Sequence, residues 1–171
     1  MIDAKFRTFG NRFFAGLMDG LIFFPVPILG DYLLSKKSIS LLWVDLAQAV
    51  IWLLYVVIGH AKYGQTVGKW LMNIKVLDLG ENKLIGYRRA FYRESVWFLV
   101  SFAAIFYMII RIGPANINDP DNIKGYESFS LIFSLGWFVA ELVTMLTNNK
   151  RRAIHDFIAG SVVVNLRQGK K

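Results

Sequence analysis

The sequence predicts an all-α integral membrane protein with four transmembrane helices, both termini cytoplasmic, a short interfacial helix and a small cytoplasmic β element. Three observations lead there. The 171 residues are 55% hydrophobic and 15% aromatic, which is more apolar surface than one core of that size can bury. The chain nevertheless carries a net charge of +8. Its charges gather between long apolar runs rather than on one soluble basic face, which argues against a nucleic-acid partner. Four of the apolar runs, 13–30, 39–59, 95–110 and 129–147, are close to the roughly 17–25 residues with which helices cross a bilayer. We read 1–171 as a single membrane domain.

The elements follow in order. Residues 1–12 form a basic lead-in with Phe6 and Phe9, either lying on the membrane surface or serving as a preliminary turn of the first helix. The first span is too long for a signal-peptide core and ends Pro-Val-Pro-Ile-Leu-Gly, so it reads as a retained span. Pro25 and Pro27 should kink or end it. Segment 61–94 is the largest soluble piece. Its opening, Gly64-Gln-Thr-Val-Gly68-Lys69-Trp70, suits a short interfacial helix with Lys69 and Trp70 at headgroup level. Strands are expected near 73–79 and 83–86 around a turn at Gly80, with a third at 161–166 recruited because a lone hairpin is marginal. The outer loop, 111–127, is rich in turn residues and expected to be irregular.

Orientation comes from the basic residues. Lys36, Lys37, Arg111 and Lys124 lie in the loops after spans one and three, whereas the other 16 of the 20 Lys and Arg lie in the termini and in 61–94. The positive-inside rule then puts both termini in the cytoplasm of a multi-pass protein of the cell membrane.

Three acids fall within spans: Asp19, Asp45 and Glu141. A carboxylate at mid-bilayer costs about 2.5–3.5 kcal/mol on insertion scales, so each is either paired or functional. Arg12 lies seven residues before Asp19 and within about 20° of the same helix face, making them a candidate pair. Helical spacing also aligns Ser130, Ser134, Glu141, Thr144 and Asn148 in span four, and Asp45, Gln48, Trp52 and Tyr55 in span two. Such an interior, lined with oxygens, suits protons and hard monovalent cations, and Asp19, Glu141 and Asp45 are the candidate ion- and proton-binding residues. The alternative is that these acids only hydrogen-bond across helices.

Other chemistry is thinly represented. There is no cysteine, so disulfides are excluded. The chain's two histidines, His60 and His155, are too few for a His-rich metal site, and no cofactor is expected. Gly64-x-x-x-Gly68-Lys69 departs from a phosphate-binding loop in spacing and in lacking Ser or Thr after the Lys, which favours packing or a turn. The outer Asn118-Asp-Pro-Asp-Asn122 has the oxygens of a calcium loop but also the composition of a solvated turn. No nucleophile with its base is recognisable, so an enzyme is not expected.

Three segments taken together resemble the RDD family of small multi-pass membrane proteins. They are Arg12 with Asp19; Gly64-Gln-Thr-Val-Gly-Lys69-Trp-Leu-Met-Asn-Ile-Lys-Val76 followed by Asp78, a Gly turn and Tyr87-Arg-Arg-Ala-Phe-Tyr-Arg93-Glu94; and Lys150-Arg-Arg-Ala-Ile-His-Asp156-Phe-Ile-Ala-Gly160-Ser-Val-Val-Val164. The family is named for one Arg and two Asp, which match Arg12, Asp19 and Asp156 here. The resemblance implies a transport-like role, with monovalent cation (Na⁺/K⁺)/proton antiport proposed for some members; others act as membrane partners that help assemble larger complexes. With Asp156 on a short amphipathic helix, 151–159, at the level of Arg12, an Arg12–Asp156 salt bridge would be either a structural latch or a cytoplasmic gate.

The expected function is therefore antiport by intramembrane carboxylates in the lipid bilayer. Four spans are few for alternating access, so this implies a homo-oligomer. The alternatives are a non-transporting scaffold for another membrane complex and a protein that uses its basic inner loop on lipid.

Overall fold

In the computed structural model, which describes residues 3–36, 41–107, 109–110, 113 and 119–168, the first apolar run folds as two helices rather than one. They are α1 (Phe9–Phe23) and α2 (Pro25–Ser35). Pro25 has no N–H to continue the α1 ladder, and Pro27 removes another. Phe24 between them keeps helical dihedrals, so the break is slight. At Gly30 α2 lies so close to α3 (Leu41–Ile58) that an added Cβ would sit 2.6 Å from Val44 Cγ1. Residues 39–40 of the expected second span lie outside the described residues.

Helix α3 runs into a π-helical turn, Gly59–Tyr63, which Gly64 ends at φ +72°. Then come α4 (Val67–Leu71), β1 (Ile74–Asp78), α5 (Gly86–Tyr107), α6 (Pro120–Thr147), α7 (Ile154–Ala159) and β2 (Ser161–Asn165). Helix α5 begins well before residue 95, which places Glu94 inside the helix and not at its N-terminus. Helix α6 already occupies 120–127, where irregular chain was expected. Most of the remaining outer loop, including Asn118 of the candidate calcium loop, lies outside the described residues.

Among the described residues three helical stretches are long and apolar enough to cross a membrane: Ala4–Ser35, Trp43–Tyr63 and Ser128–Thr147. Their outer surfaces carry large apolar side chains, as at Ile132, which is 71% exposed. Helix α5 is long enough as well, but opens with Arg88, Arg89, Arg93 and Glu94.

The strand expected at 83–86 does not form. The carboxylate of Asp78 accepts the N–H groups of Asn82 and Lys83 at 3.1 Å each, and Asp78 N–H donates to the Lys83 carbonyl at 2.9 Å. This local partner competes with a ladder. Strand β1 instead pairs antiparallel with β2, from Ile74 opposite Asn165 to Asp78 opposite Ser161. Ile74, Val76 and Val163 pack on Ala15 of α1, Ala61 of the π turn, Ile85 and Ala90 of α5. Val162, Val164 and Leu77 pack under Phe6 from the 3₁₀ turn Ala4–Phe6. Two strands alone would be marginal; covering on both sides explains why β2 is buried at every position and reads as an unbroken apolar run.

Candidate functional site

Asp19, 4% exposed, lies where α4 meets α1. Its carboxylate accepts the Tyr55 hydroxyl of α3 (2.6 Å), the Thr66 hydroxyl (2.5 Å) and the Gly68 N–H (2.7 Å). Thr66 and Gly68 belong to the first turn of α4 and its cap, so Asp19 satisfies backbone and cap donors that would otherwise be orphaned. Tyr55 in turn accepts the Val67 N–H at 3.0 Å. Gly68 makes the approach possible: a Cβ there would collide with the Ala15 carbonyl and lie 2.9 Å from Asp19 Oδ1. Gln65 Nε2 donates to the Ile74 carbonyl at 2.9 Å, and Asn11 Nδ2 to the Met72 carbonyl at 2.8 Å, fixing both ends of the segment.

Arg12 does not pair with Asp19, which sits about 10 Å along the helix. It reaches Asp156 of α7, Nη1 to Oδ2 at 2.6 Å, while Arg93 of α5 takes Oδ1 at 2.7 Å. The same carboxylate accepts the Ala153 N–H at 3.0 Å and the Ser161 hydroxyl at 3.2 Å. Complete burial by itself would raise the Asp156 carboxyl, but Arg12 and Arg93 outweigh it and hold the group well below the usual carboxylate range. Arg12 is fixed further by the Thr8 hydroxyl and the Arg151 carbonyl, each 3.0 Å away; Arg151 aims that carbonyl from a left-handed backbone (φ +50°).

The network extends into α6. Arg93 Nη2 lies 2.7 Å from His155 Nε2, which leaves Nδ1 to carry the ring proton toward Glu141 Oε2 at 2.6 Å. The His155 N–H also donates to Glu141, at 3.2 Å. The remaining span-four polar groups turn back on their own helix: the Ser134 hydroxyl donates to the Ser130 carbonyl and that of Thr144 to the Ala140 carbonyl, both at 2.7 Å. Asn148 donates to the Thr144 and Arg152 carbonyls at 2.5 and 2.7 Å. Asp45 lies about 15 Å along α3 from Tyr55 and is not brought to either cluster.

A cavity of about 400 Å³ opens between α1, α3, α5 and α6. Its polar wall includes Asp19, Lys69, Arg93, Glu94, Glu141 and His155; aromatic side chains, among them Trp52, Trp97, Trp137 and Phe138, form the rest. Lys69 turns inward to fully buried His60, Nζ to Nε2 at 2.7 Å, rather than to the headgroups, while Trp70 is exposed. Burial, then the charge of Arg93, pulls the Lys69 ammonium down to about 8. With Nε2 engaged, His60 Nδ1 faces Glu94 Oε1 at 3.7 Å and has no hydrogen-bond partner among the described residues. Glu94, His60, Arg93 and Thr66 are the functional candidates that sequence reasoning passed over. The one signal available was the polar cluster at 93–94, helical in phase with the aromatic Trp97. Among the described residues no three His, Asp or Glu side chains converge as a metal site.

The RDD family model matches residues 6–160, nearly the whole chain. The chain belongs to the RDD family. It is thus one of a family of small membrane proteins, and the apolar helices accord with that. No curated protein and no solved structure matches it. In this RDD protein Arg12 and Asp156 are one ion pair, whereas Asp19 works in a separate hydrogen-bond set that seats the Gly64-Gln-Thr-Val-Gly68-Lys69 segment.

Proposed function

We propose that this RDD protein spans the cell membrane four times, with α5 as the additional span and both termini cytoplasmic, and that it exchanges a monovalent cation for protons through its central cavity. One observation carries the reading. Glu94 lines the cavity yet receives no hydrogen bond from any described residue, its nearest basic atom being His60 Nδ1 at 3.7 Å. A carboxylate that lines a cavity without a hydrogen-bond donor can hold either a proton or a cation, so the two compete at that group. Asp19, with three donors, and Glu141, with two from His155, are each held by hydrogen bonds, which supports structural roles for both. The distribution of Lys and Arg supports the orientation. A second copy of the chain completes the path on the open side of the cavity.

Purified protein in liposomes enclosing a pH dye tests this. A Na⁺ or K⁺ gradient should drive proton movement, and Glu94→Gln should reduce it to the level of empty liposomes. Flux from folded wild type equal to that of empty liposomes with both ions would refute alkali-cation exchange. A membrane complex that co-purifies in constant ratio would then favour the scaffold role.

A further inference from the structure

We infer that the Glu94 site takes a lipophilic organic cation, with Glu94 as counter-charge and the indoles of Trp52 and Trp97 as walls. The inference rests on Glu94 being the cation-facing carboxylate, as proposed above, and not on transport. A second cavity of about 400 Å³, lined by Ala49, Leu53, Phe98 and Ser101, shares Trp52, Glu94 and Trp97 with the first. The carboxylate therefore stands where two cavities meet, in a lining that it shares with two indoles. Each ring is held by an edge contact: Trp52 against Phe23 at 4.8 Å between centroids, Trp97 against Phe133 at 5.4 Å.

The chemistry of the walls selects the ligand. The second cavity offers Glu94 one side-chain hydroxyl, Ser101, among carbon, so that wall favours a large, weakly hydrated cation, while the oxygen-bearing side chains line the first cavity. A cation whose charge is spread over an organic framework is weakly hydrated, and is satisfied by π faces and one carboxylate. Arg12 and Arg93 are bound to Asp156; Lys69 donates to His60, and its charge and that of Glu94 attract without an ion pair between them. Helix α6 lines the first cavity with side chains, among them Trp137 and Phe138, and touches α5 through the Trp97–Phe133 contact.

The test uses the full-length protein in detergent, titrated with tetraphenylphosphonium and read by tryptophan quenching, with neutral triphenylphosphine oxide and NaCl as comparators. Saturable quenching by the phosphonium is expected, weakened about tenfold or more in Glu94→Gln and about tenfold in Trp97→Leu, with little response to the oxide and only weak competition by Na⁺. Equal affinity for the neutral oxide, or unchanged phosphonium affinity in folded Glu94→Gln, would overturn the inference. Should Glu94→Gln not fold, unchanged phosphonium affinity in Trp97→Leu overturns it equally. Phosphonium binding without alkali-driven proton flux would leave this inference standing and remove alkali exchange. Flux without phosphonium binding would do the reverse.

Discussion

Gly68 shows how much one absent side chain determines. Helix α4 approaches α1 so closely that a methyl group at this position meets the Ala15 carbonyl and the Asp19 carboxylate. Gly68→Ala should cost about 1–3 kcal/mol, the usual range for overpacking, and lower the thermal midpoint in detergent. Gly20→Ala, with nothing within 4 Å of the new methyl, should leave the midpoint unchanged or slightly raised; equal losses in both would show that the close approach is not what matters. At this scale the sequence revealed a packing or turn role for Gly64 and Gly68 and the anomaly of Asp19, but not its resolution. The donors on Asp19 come from 36, 47 and 49 residues away, beyond any local pattern. Lys69 was misread for the same reason. A Lys beside a Trp suits the headgroup region, and only the fold reveals that His60 waits behind it.

Between elements, Asp156 joins α1, α5 and α7 through Arg12 and Arg93. Removing one partner of a buried pair typically costs about 3–5 kcal/mol, and Asp156→Asn strands two arginines. Because the folded carboxyl lies below its ordinary value, the unfolded state binds the proton more readily. The stabilisation is therefore present above about pH 4 and declines as pH falls further. The gap in unfolding midpoint between wild type and Asp156→Asn should be flat from about pH 5 to 8 and narrow only below about pH 4. A gap that closes near neutral pH would exclude this origin. Element type was largely legible: apolar runs gave the helices, Pro25 the break, and the valines of 161–164 the partner strand. The failed strand at 83–86 was not, since alternation cannot reveal that Asp78 captures the N–H groups of the turn. Nor could hydropathy reveal that α5 starts at Gly86, because its first turns carry the charges that the inner network uses.

For the whole molecule, the absence of cysteine makes topology directly measurable. In intact cells a membrane-impermeant maleimide should label Lys36→Cys and Lys124→Cys, whereas Lys83→Cys and Gln168→Cys should react only after permeabilisation. Labelling of Lys36→Cys and Lys124→Cys on opposite sides would show that α5 does not cross, and the inverse pattern would reverse the orientation. The sheet also sets an order of assembly. Arg12 precedes Asp156 by 144 residues, and β1 obtains its partner strand only from β2, which follows α6. During synthesis, therefore, the membrane helices are made while Arg12 and Arg93 lack their shared counter-ion and one face of β1 lies bare. Closure of the sheet waits until α6 has been made, and until then the nascent protein presents unpaired charge and open strand edges to whatever surveys the membrane for unfinished chains.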